Sequence, residues 1–489
     1  MRLASPNEVR AISRENLGLY NAVVVGGVYE FDPSEVDPKS PRSFIGPLQH
    51  CLDTHPPLSV VIKDKHTDRP FYERVPTVDL HDHISIMHDD RGGRRNQPSS
   101  ETVAIEQVLP YILDQPLPSS SPPWRLVVLP LSSSEANRSR CLVVFAFSHA
   151  IADGIGGLAF HRTFLAALRS GTNGHNTALY NTSKAELKPP FDTPERLPIS
   201  WGFLLAPLLA TILPKWIADK LGLRADVAGV NPGTWTGPPM FCDPNNLTSR
   251  VKLLEINASE LGSALARSKE NGAKLTAVIH QLIVRAISMA LPDREATNFV
   301  SQTAINMRRA LGISGDEMGL FVNGYYETHP RVDGPDAALS DEAWTAARSM
   351  TAKLVESATT LEDQPLGLLR YVPSIRKWTT GKLGQQRDCS WEVSNLGAVC
   401  DTEASSETSV HRCKMTKMLF CQPANPTGPP MAFNVVSVER GSLLFAISWQ
   451  SGALGMPEDA EREFIDAIST FIRDGFHALG REALPGKGF

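Results

Sequence analysis

Residues 141–168 read CLVVFAFSHAIADGIGGLAFHRTFLAAL, and this stretch decides the fold. Cys141 to Phe147 are apolar without a break, the pattern of a strand buried on both faces. Ser148 and His149 end the run. A loop of small residues leads to Asp153 and Gly154, and apolar residues then recur every three or four positions until Gly171, which predicts an amphipathic helix closed by glycine. A histidine at the end of a buried strand, beside a turn, can present one ring nitrogen to a cleft. Neutral imidazole is the natural base near pH 7, able to take the proton of an alcohol or amine as it attacks a carbonyl. Asp153 comes after a tight loop, so its carboxylate can fold back under the histidine or hold the loop, and Gly154, Gly156 and Gly157 let backbone and ligand approach closely. The residues alone equally allow a plainer account. Asp153 would then cap the helix that starts near Ile155, and His149 would be a buried histidine with a satisfied hydrogen bond.

Working outward, WRLVVLPL (124–131) is split from the motif strand by the polar SSSEANRSR, which predicts two antiparallel neighbours joined by a solvent loop. Upstream, NEVRAISRENLGLYN (7–21) reads as a helix and AVVVGGVYEF (22–31) as a strand. Residues 40–64 read as helix, Pro-marked turn and strand, and TVDLHDHISIM (77–87) as a strand. From Thr172 to about Pro244 the chain loosens into Asn, Ser, Pro and Gly, as linkers do. Beyond it come a strand (249–256), a helix that Asn257 or Ser259 would cap, a buried helix (274–291), four strand patterns (299–308, 389–399, 431–441, 442–452) and a last helix (457–480). Both halves mix strands and helices, so the fold class is α/β with mixed sheets. The expected division is a first lobe over 1–190, a crossover over 191–248 and a second lobe over 249–489.

The 489 residues carry a net charge of −5, so no basic field recommends nucleic acid or an anionic membrane as partner. Seven cysteines are scattered singly with no C-x-x-C, which fits a reduced intracellular protein, and the charged N-terminus lacks the apolar core of a secretion signal. The expected location is therefore cytoplasmic. One segment stands apart: ISWGFLLAPLLATILPKWIADKLGL (199–223) is strongly apolar, but two prolines interrupt it and it falls short of the ~20 residues a spanning helix needs. It reads as a core-packing or inter-domain helix. The alternative is a peripheral contact of Ile199 to Leu221 with an ER or lipid-droplet surface.

Other constellations carry less. HDHISIMHDD (81–90) offers His81, His83, His88, Asp89 and Asp90 to a metal, with His81 and His83 on one face of a strand, yet it also reads as a half-exposed strand burying Leu80 and Ile84. No metal is expected. His280 lies on an otherwise apolar helix and reads as a satisfied core histidine, Cys141 as a small core hydrophobe, and GISGDEMGLF (312–321) lacks the lysine and spacing of a phosphate loop.

The motif also has company. SRENLGLYNAVVVGGVY (13–29), PPWRLVVL (122–129), HAIADGIGG (149–157), AINMRRAL (304–311), MGLFVNGYY (318–326) and WEVSNLGAV (391–399) together resemble the acyltransferases of the chloramphenicol-acetyltransferase fold, which share H-x-x-x-D-G at this strand–loop–helix junction. The resemblance covers nearly the whole chain and is strongest to fungal alcohol acetyltransferases. The D-F-G-W-G motif of the plant BAHD branch is missing, and Ser148 stands where condensation domains carry the first of two histidines.

The resemblance implies two similar lobes, each a mixed sheet flanked by helices, meeting along a channel. His149 would deprotonate an alcohol, which attacks an acyl thioester directly, with no acyl-enzyme, no metal and no permanently bound cofactor. Acetyl-CoA or another acyl-CoA would be the co-substrate and the protein a monomer. Asp153 would be structural, held with Gly154 at the junction by an arginine of the second lobe: Arg308, with Arg309 next in line. Ser394 and Asn395 are candidates to line the channel and donate to the oxyanion, with Gly397 permitting a tight loop, and Gln422 and Ser437 are weaker ones. Two alternatives stay open. The acyl group could arrive on an acyl carrier protein, or the lobes could serve as a non-acylating binding or cyclase-like chamber.

Overall fold

The computed structural model describes residues 1–87, 101–132, 138–171, 177–220, 228–243, 247–293, 295–334, 337–400 and 413–481. The motif strand, Ser139–Ser148, lies at the centre of a five-stranded sheet ordered Cys413–Cys421, Ala22–Phe31, Ser139–Ser148, Trp124–Leu131, Ile84–Ile86. It pairs antiparallel with both neighbours, as the polar loop between Leu131 and Cys141 predicts. Being central, it buries both faces, and Cys141 to Phe147 are wholly inaccessible. One face packs on helices Arg42–Thr54 and Gly154–Ser170 through Phe44, Phe145, Phe160 and Phe164. The other packs on helix Glu101–Asp114 and on strands of the second half.

The second sheet has six strands, ordered Ser249–Ile256, Leu443–Gln450, Met431–Val438, Trp391–Val399, Asn298–Asn306, Val322–Pro330. Helices Leu275–Ala290 and Glu458–Arg481 cover one face of it and form a separate apolar core. The fold is thus α/β with two mixed-sheet lobes. The sheets cross the expected boundary once: Cys413–Cys421, late in the chain, pairs antiparallel with Ala22–Phe31 and completes the first sheet.

Two local readings are corrected. Residues 77–87 do not form one strand; Thr77–Asp79 and Ile84–Ile86 flank a 3-10 turn at Leu80–His83, which Asp79 caps by accepting from the His81 N–H at 3.0 Å. The turn sends the two histidines to different places. His81 is exposed, whereas His83 is buried, stacks on Trp124 and donates from Nδ1 to the Trp124 carbonyl at 2.8 Å. His88, Asp89 and Asp90 lie outside the described residues. The apolar segment is likewise not a core helix. It forms Trp201–Ile212, capped by Ser200, and Lys215–Lys220 after Pro214, and Trp201, Leu205, Leu209, Ile212 and Trp216 are exposed; Leu221 lies outside the described residues. No single helix among the described residues is long and apolar enough to cross a membrane.

Candidate active site

The antiparallel register that sets Ala22 opposite Ser148 also brings the residues just before one strand beside those just after the other. Tyr20 therefore lies beside His149, ring centroids 5.8 Å apart and planes inclined by 29°. Upstream of Tyr20, Ser5 starts helix Pro6–Asn16 with a capping box that involves Glu8, and Arg10 and Arg14 follow one turn apart on the same face. The Arg14 guanidinium covers the Tyr20 ring at 4.1 Å. These groups line a cavity of about 670 Å³ between the two lobes. Its apolar wall includes Val23, Ala304, Leu366, Leu369 and Phe420.

His149 makes one polar contact among the described residues, Nδ1 to the Ala152 carbonyl at 3.0 Å. A carbonyl only accepts, so Nδ1 carries the proton and the neutral ring keeps its lone pair on Nε2. Burial is the main reason that its pKa is lowered; the Ala152 bond and Asp153 oppose this, and the positive charges of Arg14 and Arg10 add to it.

Asp153 is buried and fully engaged. It caps helix Gly154–Ser170 by accepting from the Gly156 N–H at 2.9 Å and accepts from the Phe321 N–H at 2.9 Å. Arg308 grips both its oxygens, at 2.8 and 2.9 Å. Burial raises the carboxyl's pKa, but Arg308 and the two backbone donors outweigh it, so the net direction is down. Arg308 itself is only 2% exposed; it also donates to the Glu317 and Gly319 carbonyls and lies over the Phe321 ring. The helix cap and the inter-lobe ion pair, alternatives in the sequence, coexist here. Gly154 has a packing reason as well, because a Cβ there would sit 2.5 Å from Leu396 Cδ2.

Strand Trp391–Val399 decides which of the remaining candidates reach the cavity. Its side chains alternate, so Glu392 and Ser394 line the cavity, whereas Trp391 and Val393 enter the second core and Asn395 turns to Thr276 at 3.1 Å. Gly397 sits at a bulge with φ +79°, where its N–H donates to Asn395 Oδ1 at 2.8 Å. Asn395 and Ser437 are not among the residues that line the cavity, and Gly397 lies at its bulge outside that lining. Gln422 does. It accepts from the Tyr20 hydroxyl at 2.6 Å and donates to Glu392 and Asn434, both at 2.9 Å.

A family model for alcohol acetyltransferases matches residues 95–471. The chain belongs to the alcohol acetyltransferase family. It is 22% identical over 440 residues, 87% of this chain and 84% of the other, to "Probable alcohol acetyltransferase FCK4" of Fusarium pseudograminearum. Among solved structures, TRI3 trichothecene 15-O-acetyltransferase from Fusarium sporotrichioides superimposes with a TM-score of 0.62 at 12% identity, covering 97% of this chain and 94% of that one. VibH, an NRPS condensation enzyme, gives 0.51 at 13% identity, covering 97% and 95%. The protein is an O-acyltransferase with the two-lobed fold those structures share.

In this acyltransferase the cavity is lined by His149 and Asp153, with Arg308 holding Asp153, as well as by Arg10, Arg14, Tyr20 and Glu392, which the sequence reading did not name. A signal existed for the arginines: both lie on one face of a short helix otherwise bound for the core. His280 takes no part in the cavity. It accepts from Trp391 Nε1 at 3.2 Å, pairs with Thr303 at 2.9 Å, and sits in the second core. Among the described residues no group of three or more His, Cys, Asp or Glu side chains is arranged to hold a metal.

Proposed function

We propose that this chain transfers an acetyl group from acetyl-CoA to the hydroxyl of a small, largely apolar alcohol or natural product, with His149 as the general base. The observation that carries this is the Nδ1 bond to the Ala152 carbonyl, which leaves the Nε2 lone pair at the cavity. Nε2 takes the hydroxyl proton as the oxygen attacks the thioester carbonyl. When the tetrahedral adduct collapses, the departing thiolate takes that proton from the imidazolium, so no acyl-enzyme forms and His149 ends as it began. Asp153 relays no proton, because its oxygens already hold Arg308 and two backbone donors. The Ser394 hydroxyl lines the cavity, makes no hydrogen bond among the described residues, and is the candidate donor to the oxyanion.

Thiol release from acetyl-CoA with a panel of hydrophobic alcohols tests the reading. The wild type turns over at least one alcohol, and His149→Ala loses at least ~10²-fold, the lower end of what a general base contributes. Undiminished turnover by the variant would remove His149 from the reaction. Turnover with a carrier-bound acyl group but not with CoA would reassign the donor to a carrier protein.

A second reading concerns location. Trp201, Leu205, Leu209 and Ile212 recur along one face of a helix without charged residues, and all are exposed. That supports peripheral lipid contact, with tryptophan at the interface. Flotation with liposomes, lost when Trp201, Leu205 and Leu209 are changed to serine, checks it; flotation that survives the change discards it.

A further inference from the structure

Six charged side chains besides His149 line the cavity, and pairing them leaves an imbalance. Asp153 is neutralised by Arg308 at 2.8 Å, and Lys382 by Asp388 at 2.6 Å. Arg10, Arg14 and Glu392 remain. Glu392 is held by Gln422 and forms no ion pair with either arginine. Neither guanidinium has a hydrogen bond or ion pair among the described residues, and Arg14 Nε and Nη2 are buried with no acceptor at all. Arg10 and Arg14 are half-buried, but their Nε atoms are enclosed without an acceptor, and the carboxylates that attract them, Glu392 and, for Arg10, Asp192, form no ion pair with them, so charge in this position loses hydration for little in return. The desolvation is visible in the arginines themselves: burial lowers the pKa of both, that of Arg14 to about 10.

Their place in the cavity says what would complete them. The Arg14 guanidinium lies 4.1 Å from the centre of the Tyr20 ring, and the same ring is 5.8 Å from that of His149, so guanidinium and base are grouped round one tyrosine. An anion bound there belongs to a molecule whose hydroxyl reaches Nε2. The phosphates of CoA are held from the thioester by the length of the pantetheine arm and do not reach this depth. We propose that the acceptor is a hydroxy acid, or another alcohol bearing a small anion, whose carboxylate pairs with Arg10 and Arg14 while its hydroxyl meets His149. A guanidinium suits this task because its planar fork matches a carboxylate. The inference rests on the acyl-transfer reading for the hydroxyl, but the anion subsite can be probed without any transfer.

The probes are hexanoate, hexanamide and 1-hexanol, titrated at constant ionic strength against wild type, Arg10→Gln, Arg14→Gln and Arg14→Lys, with binding followed by thermal shift. Hexanoate is expected to bind wild type ~10–10²-fold more tightly than hexanamide, the range for a charge-assisted hydrogen bond. Each glutamine variant should remove most of that preference and leave hexanol affinity unchanged, and Arg14→Lys should keep part of it. Equal affinity for hexanoate and hexanamide in wild type overturns the proposal. So does an equal loss for all three probes in the variants, which would make the arginines packing elements. CoA is titrated alongside: if the arginine changes weaken CoA while wild type shows no hexanoate preference, the anion belongs to the donor and the proposal is wrong. Acetylation of 6-hydroxyhexanoate against its methyl ester reads the transfer step separately, so inactivity with both, beside intact hexanoate selectivity, counts against the transfer reading alone.

Discussion

Replacing Arg308 by methionine removes one side of an ion pair in which the two side chains are 2% and 5% exposed. Asp153 would keep the Gly156 and Phe321 N–H donors but lose both guanidinium bonds, leaving a buried carboxylate without a counter-ion. Losing one partner of a buried pair costs ~3–5 kcal/mol. At this burial solvent screening offers little relief. The control Asp153→Asn should cost less, because Arg308 keeps the Glu317 and Gly319 carbonyls and the Phe321 face. The pH dependence follows from the signs. In wild type the folded pKa of Asp153 is below the unfolded value, so its stabilisation is complete above ~pH 4 and is lost as pH falls through the lower folded value. In Arg308→Met burial is no longer outweighed and the folded pKa rises. The destabilisation is then full at neutral pH and is relieved as pH falls through that raised value. Urea unfolding of both proteins in steps from pH 7 down to ~pH 4 reads the difference, which should be largest near pH 7 and shrink as pH falls. A loss under ~1 kcal/mol, or a difference that does not change with pH, would refute the claim that Arg308 is there to neutralise Asp153.

Because the His149 pKa is lowered and the base works unprotonated, the acidic limb of kcat/KM against pH should lie below the ordinary histidine value of ~6.5; a limb at or above it contradicts the lowering. Gly154→Ala brings a methyl to 2.5 Å from Leu396 Cδ2, the end of a flexible, half-buried side chain that can swing aside, so the cost should stay under ~1 kcal/mol; an unfolding midpoint lowered by more than that would mean that Leu396 is held in place. Gly397→Ala meets nothing within 4 Å, so its cost comes from the φ of +79° alone, and ~1–2 kcal/mol with unchanged turnover is expected. Tyr20→Phe breaks the bond to Gln422 but keeps the ring against His149; a fall in kcat/KM below tenfold fits a positioning role, and a loss as large as that of His149→Ala would require the hydroxyl in the chemistry.

The motif strand, its hairpin partner and the helix after Asp153 were legible because their apolar patterns are long and unambiguous. Arg308 was legible only through the resemblance, since nothing in INMRRAL says which arginine turns inward. Ser394 and Asn395 could not be told apart for a local reason: strand alternation carries them to opposite faces, and the sequence does not say which face holds the cavity. Glu392 was hidden because a charge facing an internal cavity looks the same in a sequence as a charge facing bulk water, and Arg10 and Arg14 had only the weak signal of sharing one face of a core-bound helix. For the segment from Trp201 to Ile212 the sequence left a covered helix and a surface contact open, because an apolar helix is usually covered; its exposure came only with the structure.

The strand Cys413–Cys421 has a consequence for how the protein is made. Its pairing partner, Ala22–Phe31, is synthesised long before it, and the edge that partner presents stays open until synthesis has passed Cys421. Between the two, the nascent chain carries an unpaired apolar strand edge, the kind of surface that recruits chaperones and pairs with neighbouring chains. The first half, expressed alone, should be aggregation-prone, and the two halves should be rescued by co-expression.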